Sequence, residues 1–172
     1  MPERLSAGTI RLWRACVPRW AHDPLLGEGA ARFGGRWNPV GQATIYAAQE
    51  LSTAWAEYNQ GFVQHPATIV QLVLTGAMLA DLTQAATLAT LQVGADIHRC
   101  EWRSLLDQGQ RPPTHELRER LLAGGIHGVV YPSFMSPGGT CVALWRWNGA
   151  DEPRLEVVDP DGRLPKTPAS WL

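Results

Sequence analysis

Short strand-like and helix-like segments alternate along this 172-residue chain without a regular strand–helix–strand rhythm. That irregularity argues for an α+β fold, not a doubly wound parallel sheet. Residues 9–15, 44–47, 67–74, 78–82, 127–131, 141–147 and 155–158 carry the β-branched or alternating patterns of strands. Residues 49–59 read as a helix, with Leu51, Ala54, Trp55 and Tyr58 on one apolar stripe. Residues 88–93 and 97–106 also read as helical. After Pro112-Pro113, Thr114 is placed to cap a helix that stops at Gly124-Gly125. Residues 21–41 read as a long loop carrying Gly27, Gly29, Gly34, Gly35 and Gly41 beside Phe33, Arg36 and Trp37.

Bulk properties exclude several classes. The net charge of -1 provides no basic field for direct nucleic-acid binding. The longest apolar-rich stretch, residues 69–74, is too short to span a membrane and contains Gln71. Residues 1–14 lack the apolar run of a signal peptide. Cys16, Cys100 and Cys141 are odd in number and widely spaced, so they read as free thiols in a reducing, cytoplasmic setting. The five histidines (His22, His65, His98, His115 and His127) show no metal-ligand spacing, and no metal is expected. The eight tryptophans serve either core packing or a flat aromatic surface for a ligand or partner.

Three segments are able to carry chemistry. In Gly34-Gly35-Arg36-Trp37-Asn38-Pro39 the glycines permit close backbone approach, and Arg36 offers a planar fork for phosphate or carboxylate. A tight turn with an exposed arginine would read the same way. Glu57 sits roughly 110° from the centre of its helix's apolar stripe, at the border of the core. Glu50 lies one heptad earlier on nearly the same side, and both could equally be solvated carboxylates. Ser133 follows a strand but has no Gly-x-Ser-x-Gly setting, which excludes a serine hydrolase. No Walker loop or dinucleotide fingerprint is present.

Taken in order, Leu12-Trp13-Arg14, Gly34-Gly35-Arg36-Trp37-Asn38-Pro39-x-Gly41, Ile45-Tyr46, Ala54-x-x-Glu57, Pro132-Ser133 and Leu144-Trp145-Arg146-Trp147 resemble the RES domain family, named for an Arg, a Glu and a Ser. The resemblance covers about residues 10–160 and implies a single domain over residues 1–172 with a Pro-rich tail. It implies a split, mainly antiparallel sheet with surrounding helices, similar to the diphtheria-toxin and ADP-ribosyltransferase group. It further implies the toxin of a toxin–antitoxin pair, with NAD as substrate and a cognate antitoxin that carries a helix-turn-helix. By that resemblance Glu57, Arg36 and Tyr46 are catalytic, and Arg14, Gly35, Arg36, Tyr46 and Ser133 bind NAD. Residues 136–141 depart from the polar, charged approach expected before the last strand.

The residues suit cleavage of the nicotinamide–ribose bond. Glu57 would stabilise the developing ribosyl cation, and Arg14 and Arg36 would hold the diphosphate. Tyr46 would pack on the nicotinamide, and Ser133 would bond either Glu57 or the ribose. Arginine-directed transferases of this fold resemble one another in a Glu-x-Glu; here the tripeptide is Trp55-Ala56-Glu57, with Trp55 expected to point into the core. NAD breakdown, as a glycohydrolase or phosphorylase, therefore ranks above ADP-ribosylation of a protein. A non-catalytic nucleotide- or partner-binding module is the alternative from another class.

Overall fold

The computed structural model describes residues 4–6, 8–61 and 63–171. Its strands are β1 (Arg4–Ser6), β2 (Thr9–Cys16), β3 (Ile45–Ala48), β4 (Thr68–Thr75), β5 (Met78–Asp81), β6 (Gly128–Pro132), β7 (Thr140–Leu144) and β8 (Arg154–Val157). They form one sheet in the order β1-β5-β6-β7-β3-β2-β4-β8. Only β5 and β6 pair in parallel; the other neighbours are antiparallel. The helices are α1 (Glu28–Phe33), α2 (Leu51–Asn59), α3 (Ala85–Leu91), α4 (Trp102–Asp107) and α5 (Pro113–Ala123). Three of them, α3 to α5, lie in the crossover between the parallel strands, as such a connection requires.

Side-chain alternation divides the core in two. Val129, Tyr131, Cys141 and Ala143 face one cluster with Leu88 and Leu91 of α3, Leu117 and Leu121 of α5, and Ala54 of α2. Val130, Val142 and Leu144 face the other, with Leu12, Ile45, Leu72, Leu74 and Leu79. That second face is covered by Leu25, Trp147 and Leu164 instead of helices.

The sheet is split at one seam. Along β2 all eight residues pair with β4, whereas β2 and β3 share only Trp13↔Ala48. On its other edge β3 keeps full register with β7, from Ile45↔Leu144 to Ala48↔Cys141. The two halves are hinged at a single residue pair and splay apart beside it.

Three details differ from the sequence reading. The long loop contains α1, which ends where Gly34 adopts φ 71°. The expected helix over residues 97–106 breaks at Cys100, whose ψ of 142° is extended, so a 3-10 turn (Ile97–Arg99) precedes α4. In α2 the buried residues are Thr53, Ala54 and Asn59. Leu51 is exposed, and Trp55 is half-buried and stacks on Tyr58 at 6.4 Å instead of entering the core.

Leu72 is fully buried in the middle strand of the β2–β4–β8 half. Leu72→Ala is expected to cost about 2–5 kcal/mol, read as a lowered urea midpoint with unchanged slope.

Candidate active site

At the seam opens a cleft of about 650 Å³, within the range of small-molecule sites. Consecutive residues of both strands line it, Trp13, Arg14 and Ala15 from β2 and Tyr46, Ala47 and Ala48 from β3. A continuous ladder would hide alternate ones, so the splay is what exposes them. Gly35, Arg36, Glu57, Tyr58, Trp102, Arg103, Tyr131 and Cys141 complete much of the wall. A second cavity of about 310 Å³ adjoins it across Arg14, Gly29, Phe33 and Tyr58.

Glu57 lies on the inner side of α2. Its Oε1 accepts from Ser133 Oγ at 2.6 Å, Phe134 N at 3.0 Å, Met135 N at 3.2 Å and Cys141 Sγ at 3.8 Å. Among the described residues Oε2 has no hydrogen-bond partner. All protein donors thus converge on one oxygen and leave the other for a ligand. Ser133 is itself fixed, since Ser136 N donates to its Oγ at 2.9 Å. It is buried behind Glu57, outside the lining of the cleft, so of its two sequence-stated partners the structure selects the carboxylate. Burial, followed by the neighbouring Glu57, pushes the Cys141 thiol up to about 12, which keeps the proton it donates. Glu50 does not join the cleft; its Oε2 accepts from Thr140 N at 3.0 Å and ties α2 to the start of β7.

The Gly34–Pro39 loop is held by side chains from elsewhere. Gly35 and Asn38 close a tight turn, Gly35 N donating to Asn38 O at 2.9 Å. Tyr46 reaches across, its hydroxyl donating to Asn38 Oδ1 at 2.6 Å and accepting from Trp37 N at 2.9 Å. A Cβ on Gly35 would stand 2.5 Å from that hydroxyl, so glycine is required there. Thr114 does not cap α5; its hydroxyl donates to Arg36 O at 2.5 Å. His115 Nε2 donates to Gly35 O at 2.8 Å, and burial lowers the pKa of this ring. Trp145 Nε1 donates to Trp37 O at 3.0 Å.

Both arginines point to the cleft with part of the fork already occupied. Arg14 donates to Pro24 O at 2.7 Å and Leu26 O at 3.1 Å, and burial lowers its pKa. Arg36 donates to Cys100 O at 3.0 Å and lies 5.5 Å over the ring of Phe134. Each guanidinium has five N–H donors, so both retain donors for a ligand. Among the described residues Arg14, Arg36 and Arg103 have no carboxylate partner, whereas Arg111, Arg118, Arg146, Arg154 and Arg163 do. Three arginines of the cleft wall thus carry charge that no ion pair of the described residues neutralises.

Residues 11–167 match the RES domain family. The chain belongs to that family. A curated relative, the Prs ADP-ribosylating toxin of Sphingobium sp. (strain YBL2), is 34% identical over 94 residues, which cover 51% of this chain and 58% of the relative. The chain thus matches little more than half the length of that relative. Among solved structures it is similar to the M. tuberculosis MbcT–MbcA toxin–antitoxin complex, with a TM-score of 0.60 at 20% identity over 94% of this chain and 86% of the other. That likeness supports the α+β fold with its mainly antiparallel sheet.

Sequence patterns brought Arg14, Gly35, Arg36, Tyr46, Glu57 and Ser133 forward; the structure places the first five in the wall of one cleft and Ser133 behind it, on Glu57. They missed Thr114, His115 and Cys141, because those contacts span 78 to 84 residues, and took Asn38 only as part of the motif, without its role. They also missed Trp102 and Arg103.

Tyr46→Phe keeps the ring and removes the hydroxyl, leaving Trp37 N and Asn38 Oδ1 without their partner. A buried unsatisfied group costs about 1–3 kcal/mol. The variant is expected to lose about 2–4 kcal/mol in ligand-free denaturation, far more than a surface Tyr→Phe.

Proposed function

We propose that this RES domain cleaves the nicotinamide–ribose bond of NAD and acts as the toxin of a toxin–antitoxin pair. The observation that carries this reading is the asymmetric Glu57 carboxylate. One oxygen is saturated by protein donors and the other is unpartnered at an arginine-lined cleft. An anionic oxygen fixed in direction stabilises a ribosyl cation without having to reorganise as the charge develops.

The remaining roles follow from the geometry. Arg14 and Arg36 retain N–H groups for the diphosphate, which positions the scissile bond. Gly35 lets the loop close beside the substrate. Tyr46 acts through its ring, which lines the cleft, because its hydroxyl is committed to the loop. Ser133 orients Glu57. The electron pair of the broken bond leaves with nicotinamide, whose ring becomes neutral, so no general acid is needed. Water then adds to the ribosyl carbon and loses a proton, giving ADP-ribose.

The partner in this reading is an antitoxin with a helix-turn-helix, and a carboxylate presented by it would find Arg14 and Arg36 at the mouth of the cleft. Phe33 and Phe134 are exposed at that mouth and offer apolar footing. The setting is cytoplasmic, and among the described residues no helix is long and apolar enough to cross a membrane. ADP-ribosylation of a protein is the second reading, favoured by the name of the Sphingobium relative. The half-buried position of Trp55 removes one objection to it, since that side chain does not turn away into the core. Labelled NAD with cell lysate separates the two: free ADP-ribose supports hydrolysis, and label on one discrete protein supports transfer.

Glu57→Gln is expected to lower nicotinamide release by about 10²–10³ in a folded protein. Near-normal turnover would remove Glu57 from the chemistry. Arg36→Lys keeps the charge without the fork; it is expected to raise KM and slow turnover together in the same assay.

A further inference from the structure

The contacts along the cleft have an order. Phe134 N donates to Glu57 Oε1, and the Phe134 ring lies 5.5 Å beneath Arg36. Arg36 in turn donates to Cys100 O, two residues before Trp102. Trp102 and Arg103 open α4, both line the cleft, and the Arg103 guanidinium lies 4.6 Å over the Trp102 ring. Reading outward from the carboxylate gives Glu57, Phe134, Arg36, then the Trp102–Arg103 pair.

NAD has a matching order outward from its scissile bond: ribose, diphosphate, second ribose, adenine. With Glu57 at the first and Arg36 at the second, the Trp102–Arg103 pair stands where the purine would lie. We infer that Trp102 and Arg103 form the adenine-recognising wall of this cleft, an inference that rests on the NAD reading above. The pair is built for a flat ring. Trp102 is half-buried against the protein and Arg103 is exposed, with no carboxylate partner among the described residues. Indole and guanidinium are both planar, and stacking on either tolerates any base with a π-face. The recognition is therefore of a stacked base ring, and it distinguishes NAD from substrates lacking the adenylate half.

The break at Cys100 gives the pair its place. Had residues 97–106 formed one helix, the Cys100 carbonyl would be occupied within it. The extended Cys100 carbonyl instead accepts from both Trp102 N, at 2.8 Å, and Arg36, and so couples the diphosphate arginine to the segment carrying Trp102.

The test uses binding and turnover on the full chain. Calorimetry with ADP-ribose compares the native protein, Trp102→Ala, Trp102→Phe and Arg103→Ala, each checked for folding by circular dichroism. Losing a base–aromatic stack costs roughly tenfold or more in affinity. Trp102→Ala is expected to show that loss and Trp102→Phe to recover most of it. In turnover, Trp102→Ala should raise KM for NAD with little change in kcat. Its preference for NAD over nicotinamide mononucleotide should fall by about tenfold. Native ADP-ribose affinity in Trp102→Ala overturns the inference. So does an equal loss on both substrates, which marks a fold effect. If the native protein neither releases nicotinamide nor binds ADP-ribose, the NAD reading fails, and this inference with it. A native protein that cleaves NAD beside an unaffected Trp102→Ala sinks the adenine wall alone.

Discussion

Residues 34–39 belong to no helix or strand, yet Gly35, Trp37 and Asn38 are buried. Backbone polar groups removed from water need partners, and the Gly35–Asn38 turn supplies only some of them. Others come from three distant elements: Tyr46 on β3, Thr114 and His115 at the start of α5, and Trp145 just after β7. Asn38, with no exposed surface, sits at the hub. Its Nδ2 donates to Ala30 O, Pro39 O and Gln42 O while its Oδ1 accepts from Tyr46. This network anchors the backbone on either side of Arg36, although the buried Trp37 Nε1 has no partner among the described residues. It also explains the adjacency of Gly35 and Asn38 with Tyr46 in the sequence motif, since the three share one pocket of space.

The same loop bears on the seam. A sheet with eight strands ordinarily pairs each neighbour along its length, but β2 and β3 touch through one residue pair. On β3, Tyr46 pairs with Ala143 of β7 and sends its hydroxyl to the loop, with no partner on β2. On the β2 side Arg14 is drawn to the carbonyls of Pro24 and Leu26, in the segment just before α1. The side chains at the seam are thus each committed to a loop, and the gap between the strands is occupied by the walls of a cleft instead of a ladder. Separation of the sheet and construction of the site are one event in this fold.

What the sequence reveals follows the range of the interaction. Strand positions were legible because alternation is a two-residue property: β2, β4 and β6 fall within one residue of their patterned segments, whereas β7 ends three residues short of its own. The irregular strand–helix order was enough for the α+β class, and the motif order was enough for the family. The burial of α2 was not legible. An apolar stripe predicts the inner face only where the partner surface is apolar, and α2 lies against the polar wall of the site. Thr53 therefore turns inward to Ser136 and Glu57 to Ser133, while Leu51 stays exposed. The break at Cys100 was equally hidden; its carbonyl is met by the Arg36 guanidinium, sixty-four residues earlier in the chain.

The two charges of the site are handled in opposite ways, and the contrast is informative. Glu57 receives its donors on one oxygen from the short segment 133–135 and from Cys141, so its orientation is set by groups at the end of β6 and on β7. The arginines are held by neutral carbonyls and an aromatic face, never by a carboxylate among the described residues. Carbonyls orient a guanidinium while leaving its charge unneutralised, whereas an ion pair would cancel it before any ligand arrived. Arg111, Arg146, Arg154 and Arg163 pair with acids at the surface, where such pairs contribute little to stability. Unpaired cations along the cleft favour a ligand with distributed negative charge, and the single free carboxylate oxygen favours one that develops positive charge at a different point. A dinucleotide with a diphosphate and a cationic leaving group meets both demands at once, which a simple phosphate or a neutral sugar does not.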